Sequence, residues 1–427
     1  MSFERQQIEE KYKWNKAAMY ASEKAWEKAL GQMQKSADWQ KLAGYQNKLG
    51  ENSAVLKAAL DLFFQMSRTI NCLKVYANLW LDEDLANDQA KEAFVRINSL
   101  SYDFVERTSW IDPELIAIAP EQMDKYLSDP LLQEYRFYLE KRLRWKPHTL
   151  ALGEEKLLAK VRKALDAPSK TFKALYGIDT AFEPVEDQTG QSHPVTYGSY
   201  YVFMKSRDRV LRQRAFESLH GGFEKVQNTL AELFSGHVQK HIFNAKARKF
   251  KSSLESALYP HKIDLAVYAN LLATVKAHRK VLERFVRLKK RLLNLDQLHV
   301  YDLAVPMVEN VDFQMDIEEA KKTVIASVAP LGEAYQKILQ RGLTEERWAD
   351  YLESKNKRSG AYSSGCYDSY PYILLNYHGT LNDALTLAHE AGHSMQSELI
   401  NKTQPYVYSV YSIFVAEIAS TFNEQLF

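Results

Sequence analysis

A mainly α-helical, multi-helix fold is predicted from three observations: helix breakers are scarce, aromatic side chains are abundant, and apolar residues recur at helical spacing over long stretches. The 427 residues contain 16 Gly and 12 Pro, against 7 Trp, 25 Tyr and 19 Phe, which suits long uninterrupted elements with aromatic-rich packing. With 46% apolar and 26% charged residues the chain can bury a sizeable core. Disordered, collagen-like and disulfide-scaffold readings are excluded.

From Ile8 to about Trp110 several helices are expected, because Trp14, Met19, Trp26 and Leu30 fall near helical spacing and Leu56 to Leu81 continues the pattern without a Pro. Asp112-Pro113 marks a break, since Pro disfavours helix in the residue before it and fits best in a first turn. A second helical block follows from Pro113 to about Leu175, punctuated by Pro130, Pro147 and Pro168. Between Gly177 and Pro194 the texture turns to Gly, Pro, Asp, Thr and Gln, and the main domain boundary is placed there, at a connection or small hairpin. Charged helices resume from Thr196 to Gly342, and the basic run from Val281 to Leu295 reads as a solvated face. After Ser359, Gly360-Ala-Tyr-Ser-Ser-Gly365 is turn-like and Pro371-Tyr-Ile-Leu-Leu-Asn-Tyr377 has the aromatic and aliphatic character of a buried strand.

Lys and Arg (56) nearly balance Asp and Glu (54), so there is no global field to draw the chain onto nucleic acid or an anionic membrane. Neither is expected as a partner. Two cysteines far apart in sequence, Cys72 and Cys366, and a charged amino terminus without an apolar core predict a cytoplasmic location. The most apolar stretch near the end is interrupted by Glu417, so no membrane span is expected.

The chemistry is carried by His389-Glu390-Ala391-Gly392-His393, an HExxH sequence. Residues four apart on a helix point the same way, so His389 and His393 can offer two imidazoles to one metal ion, with Glu390 beside them to take a proton from water. Thr380 can cap this helix with Asp383, and Ala384, Ala388, Ala391, Met395 and Leu399 make one apolar stripe lying well round from the histidines. A zinc hydrolase of this type needs a third protein ligand and an open fourth position. Leu399 stands where a metzincin has its third histidine, and Glu398 would point away from the pair. Glu417, in Phe414-Val-Ala-Glu-Ile-Ala-Ser-Thr-Phe-Asn-Glu424, fits; Ser420 and Glu424 share its helix face and can orient the ligands. Either Glu417 or Glu424 satisfies the spacing.

In these motifs, and in Asn244-Ala-Lys-Ala-Arg-Lys-Phe-Lys-Ser-Ser253 and Tyr301-Asp302, the sequence closely resembles the oligoendopeptidase F branch of the thimet-oligopeptidase-like zinc metallopeptidases. The resemblance spans nearly the whole chain. It implies a zincin-type metallopeptidase with a deep substrate channel and a small β-sheet beside one zinc ion. It further implies His389, His393 and Glu417 as zinc ligands, Glu390 as catalytic acid/base, and Glu424 as a partner of the ligands. Short unstructured peptides are the implied substrates, cleaved at internal bonds. Three regions follow: 1–111, an N-terminal helical domain; 112–195, an oligopeptidase F N-terminal-type helical domain and linker; and 196–427, the catalytic domain. Ala391 replaces a larger apolar residue common in the family, and Gln396 stands where a histidine is common. Family members continue beyond the point where this chain ends, in a segment whose Tyr and His side chains contact substrate. The expectation is therefore a catalytic domain truncated at its C-terminus, which alone binds zinc weakly and cleaves peptides poorly or not at all. A catalytically silent peptide-binding module is the alternative.

Other candidates are weaker. His237 and His241 are also four apart, but Val238 occupies the place of a catalytic acid. Tyr372, Asn376 and Tyr377 are expected to bind substrate, through pairing of the Pro371–Tyr377 strand edge with an extended peptide. Cys366 lacks a neighbouring base in sequence and is not expected to be reactive. Asn401-Lys-Thr403 matches a glycosylation acceptor that a cytoplasmic protein would not use.

Overall fold

The computed structural model describes residues 4–308 and 314–427. The chain divides into two compact units, Met1–Lys146 with Asp312–Phe427, and Pro147–Val311. These limits differ from the expected boundary at 195. The reason is local: the Gly177–Pro194 stretch does form a hairpin, with β1 (Val185–Glu186) antiparallel to β2 (Ser192–His193). Val185 and Val195 are buried with Leu211, Ala215 and Leu219, so the hairpin is part of a core rather than a linker.

In the first unit the long helix Ser53–Glu83 starts where the Asn52 side chain accepts from the Val55 N–H. It carries two cores. One gathers Trp26, Leu30, Leu73, Tyr76 and Ile97 from three helices, with the Trp26 indole donating to the Leu73 carbonyl at 2.8 Å. The other packs Leu56 and Leu60 against Tyr126, Leu132 and Leu139. The break expected at Asp112-Pro113 lies just ahead of it, since one helix ends at Thr108 and the next, Ile111–Ala117, takes Pro113 into its first turn. The segment Arg5–Ala18 forms short 3₁₀ turns instead of the expected helix.

A three-stranded sheet supports the carboxyl-terminal part of this unit, in the order β3 (Ala349–Leu352), β5 (Tyr372–Tyr377), β4 (Tyr362–Ser364). β3 runs parallel and β4 antiparallel to β5. β5 is thus central. Its buried Ile373 and Leu375 pack with Trp348, Leu387, Ala388 and Met395 in one core. The turn-like Gly360–Gly365 stretch contains β4, because pairing with β5 recruits Tyr362–Ser364 into the sheet. Buried Asp350 on β3 binds Lys357 at 2.7 Å and Arg5 at 2.7 Å, and Lys357 also donates to the carbonyls of Leu352 and Leu375.

The second unit is built mainly from helices. Buried Asp302 accepts from Arg212 at 2.8 Å and from Arg209, joining the turn Val300–Asp302 to the helix Arg209–Glu224. In the basic helix Arg279–Leu292 the expected solvated face is present at Arg284, Arg287 and Arg291, but Lys289 is buried and Val281 and Leu282 are exposed. Among the described residues no helix is long and apolar enough to cross a membrane.

Candidate metal centre

The helix Leu381–Thr403 begins with a capping box: Thr380 accepts from the Asp383 N–H, and the Asp383 carboxylate accepts from the Thr380 N–H. Ala384, Leu387, Ala388, Ala391 and Met395 bury its inner face. Leu399 departs from the expected stripe; it is 38% exposed, one turn beyond the end of the sheet-facing core. The stripe holds the helix so that His389 and His393 face the following helix, Ile413–Leu426.

Gly392 sets how closely the two helices approach. A Cβ there would lie 2.6 Å from the Ala419 carbonyl oxygen and 2.7 Å from the Ser420 Cα, closer than packed atoms can sit. With hydrogen at that position the Ile413–Leu426 helix brings Glu417 against both histidines. The Glu417 Oε2 lies 3.6 Å from His389 Nε2 and 3.7 Å from His393 Nε2, and the two Nε2 atoms are 3.2 Å apart. All three potential ligand atoms fall within 4.8 Å of one another.

Glu424 lies on the other side of His389, with its Oε1 2.5 Å from Nδ1. An Nδ1–H donated to Glu424 leaves Nε2 as a bare acceptor turned toward Glu417 and His393. Glu417 thus joins the converging atoms, whereas Glu424 lies against the Nδ1 side of the imidazole. Ser420 donates to Glu417 Oε2 at 2.9 Å, as its place on the same helix face suggested. The His393 ring bonds to the Ala416 backbone, and its pKa is lowered by burial and by the neighbouring His389.

This donor set fits a divalent zinc-like cation. Two imidazole nitrogens and one carboxylate oxygen are the ligands of a tetrahedral site with one open position. At bond lengths of about 2.1 Å, tetrahedral ligand atoms stand about 3.4 Å apart, close to the separations found here.

Glu390 is 7% exposed and its carboxyl is pushed up to about 7. Burial is the main cause and the Glu417 charge adds to it, while His389 and the Ser363 backbone N–H work in the opposite direction. Ser363 is a site residue that sequence reading missed. Its N–H reaches Glu390 from β4, and its hydroxyl meets Ser394 of the motif helix at 2.8 Å. Only the recruitment of Gly360–Gly365 into a strand reveals it, and the sequence signal there is the Tyr-Ser-Ser run between two glycines.

The three β5 residues expected to bind substrate all make hydrogen bonds to neighbouring backbone, and half-buried Asn376 also lines a cavity with Tyr377. Tyr372 is fully buried and donates to the Asn15 carbonyl, Tyr377 donates to the Met315 carbonyl, and the Asn376 amide donates to the carbonyls of Arg358 and Gly360. Strands flank β5 on both edges, so the outer edges of the sheet belong to β3 and β4. His237 and His241 face each other at 3.1 Å on an exposed helix surface, with Ser169 beside His237. Among the described residues no third metal-binding side chain joins them.

Residues 202–427 match the model of peptidase family M3, and residues 114–182 match that of oligopeptidase F. Over 99% of its length the chain is 35% identical to oligopeptidase PepF of Bacillus subtilis, of which it spans 63%. Over its full length it is 35% identical to group B oligopeptidase PepB of Streptococcus agalactiae, of which it spans 70%. The chain belongs to peptidase family M3. Two solved structures share its fold. A Chlamydophila abortus protein assigned as a peptidase superposes with a TM-score of 0.86 at 38% identity, over 100% of this chain and 71% of its own. Oligoendopeptidase-F of Enterococcus faecium gives 0.64 at 28% identity, over 94% and 64%. The two helices and the sheet described above lie within the stretch matched to the M3 family.

Proposed function

We propose that the chain carries the zinc-dependent catalytic centre of an endopeptidase that hydrolyses internal bonds of short unstructured peptides. The observation that carries the reading is the convergence of His389 Nε2, His393 Nε2 and Glu417 Oε2 beside the buried carboxyl of Glu390. Family membership supports it: the similar proteins of Bacillus subtilis and Streptococcus agalactiae are named oligopeptidases.

His389, His393 and Glu417 would hold the ion, with Glu424 fixing the His389 ring and Ser420 the Glu417 carboxylate. Zinc, when bound, supplies a Lewis acid that acidifies water and polarises the scissile carbonyl. Glu390 takes the proton of the attacking water and delivers it to the leaving amine, and no acyl-enzyme forms. The outer edge of β4, which no strand covers among the described residues, is where an extended peptide would pair beside Glu390. The low cysteine content supports a cytoplasmic setting.

The test is cleavage of an internally quenched peptide, with the products identified by mass. Chelator-sensitive cleavage at an internal bond is expected. Glu390→Gln should lower kcat by about 10²–10⁴-fold while leaving zinc content and peptide affinity nearly unchanged. Peptide binding without cleavage by the unmodified chain would favour the silent binding module, and turnover unaffected by Glu390→Gln would remove the assigned base.

A further inference from the structure

Cys72 and Cys366 are the chain's two cysteines, and the fold brings them together. Cys72 lies on the Ser53–Glu83 helix and Cys366 in the connection from β4 to β5. Both side chains belong to one small core with Trp14, Leu79, Tyr372 and Leu374, close enough for each thiol to act on the other. An independent contact fixes this approach. Arg68, one turn before Cys72 on the same helix face, makes a two-pronged ion pair with Asp368, two residues after Cys366, including Arg68 Nε to Asp368 Oδ2 at 2.5 Å. The Ser369 hydroxyl accepts from the Cys366 N–H, and the Asn401 amide donates to the Cys366 carbonyl. The connection is thus pinned on both sides of the thiol.

The two sulfurs are not equivalent. The neighbouring Cys72 side chain favours a thiolate at Cys366, while the same contact together with burial pushes the Cys72 thiol up. Cys366 is 6% exposed, but it lines an open cavity of about 250 Å³ shared with Asn71, Ser397 and Tyr411, large enough for a small oxidant.

We propose that Cys72 and Cys366 form a reversible dithiol–disulfide pair, with a hydroperoxide as oxidant and Cys366 as the sulfur oxidised first. The Cys366 sulfur attacks one peroxide oxygen and the O–O bond breaks. Cys366 becomes a sulfenic acid, and the departing hydroxide takes up the thiol proton as water. The Cys72 sulfur then attacks the Cys366 sulfur. An S–S bond forms, the S–OH bond breaks, and the Cys72 proton leaves with that hydroxide as a second water. Two thiols lose two electrons in all, and hydrogen peroxide accepts them to become two waters. The disulfide would tie the long helix to the β4–β5 connection, and thus to the sheet whose β4 edge meets Glu390.

The test uses the whole chain, reduced and then treated with hydrogen peroxide near stoichiometry. Its intact mass should fall by about 2 Da, both thiols should become resistant to alkylation, and dithiothreitol should restore them. A peptide map should join the two segments within one chain, and the melting temperature should rise by several degrees on oxidation. In Cys72→Ser the sulfenic acid on Cys366 should be trapped by dimedone, whereas in Cys366→Ser the Cys72 thiol should stay reduced. The proposal is overturned if both thiols of the unmodified chain still alkylate after treatment. It is equally overturned if Cys366 gains about 32 Da as an uncross-linked sulfinic acid, or if the disulfide joins two chains.

Discussion

At the residue scale, Glu417 and Glu424 show how two carboxylates one helix face apart take different work. Both approach His389, but Glu417 meets Nε2 and Glu424 meets Nδ1, so only one can share a cation with His393. Replacing Glu424 by Gln keeps the size and weakens the hold on the imidazole. Zinc affinity, measured by competition with a chromophoric chelator, should fall by about 10- to 100-fold with the helix content unchanged. Unaltered affinity would mean that the Nδ1 contact does not orient the ligand. The HExxH pair and the acid between them were legible because one turn of helix fixes their relation. The ring nitrogen each glutamate faces was not, since it depends on how two helices cross.

At the scale of elements, that crossing rests on Gly392. Gly392→Ala places a methyl against the Ala419 carbonyl, so the helices must separate. The expected result is a loss of stability of about 1–3 kcal/mol in denaturant titration, accompanied by weaker zinc binding because Glu417 moves with its helix. A variant that is destabilised but binds zinc normally would show that the close approach serves packing alone. The capping box at Thr380 and the stripe from Ala384 to Met395 were readable locally, being set by helical period and end chemistry. The sheet was not. Pro371–Tyr377 reads as a strand, but whether it is an edge or a centre depends on Ala349–Leu352 and Tyr362–Ser364, which pair with it from distant or turn-like sequence. The hydrogen bonds of Tyr372, Asn376 and Tyr377 to neighbouring backbone depend on that arrangement and are likewise invisible in local sequence.

For the molecule as a whole, the division into units escapes local reading because Pro147–Val311 is inserted between two stretches that fold together. A change in composition near Gly177 marks a hairpin as readily as a linker, and the buried Val185 and Val195 decide between them. The inserted unit carries its own pH dependence. Burial opposes ionisation of Asp302, but Arg209, Arg212 and the His299 N–H outweigh it and hold the carboxyl below its usual range. A depressed carboxyl stabilises the fold above its unfolded pKa of about 3.9, and that stabilisation is lost as pH falls through the lower folded value. Melting temperature should therefore drop as pH falls below about 4, with Asp350 in the other unit acting in the same direction. Asp302→Asn should cost about 3–5 kcal/mol at neutral pH by leaving Arg212 buried without its charge partner, and should flatten the acid limb. An acid limb as steep as that of the unmodified chain would remove Asp302 from this account.

The central claim is that one cation is held by His389, His393 and Glu417. Zinc bound per chain in equilibrium dialysis against the free metal, for the unmodified protein and for a His389→Ala/His393→Ala double variant that retains its helix content, tests it most directly. One equivalent in the first and none in the second is the predicted result; zinc retained by the double variant, or no zinc in the unmodified chain after loading with the metal, would contradict it.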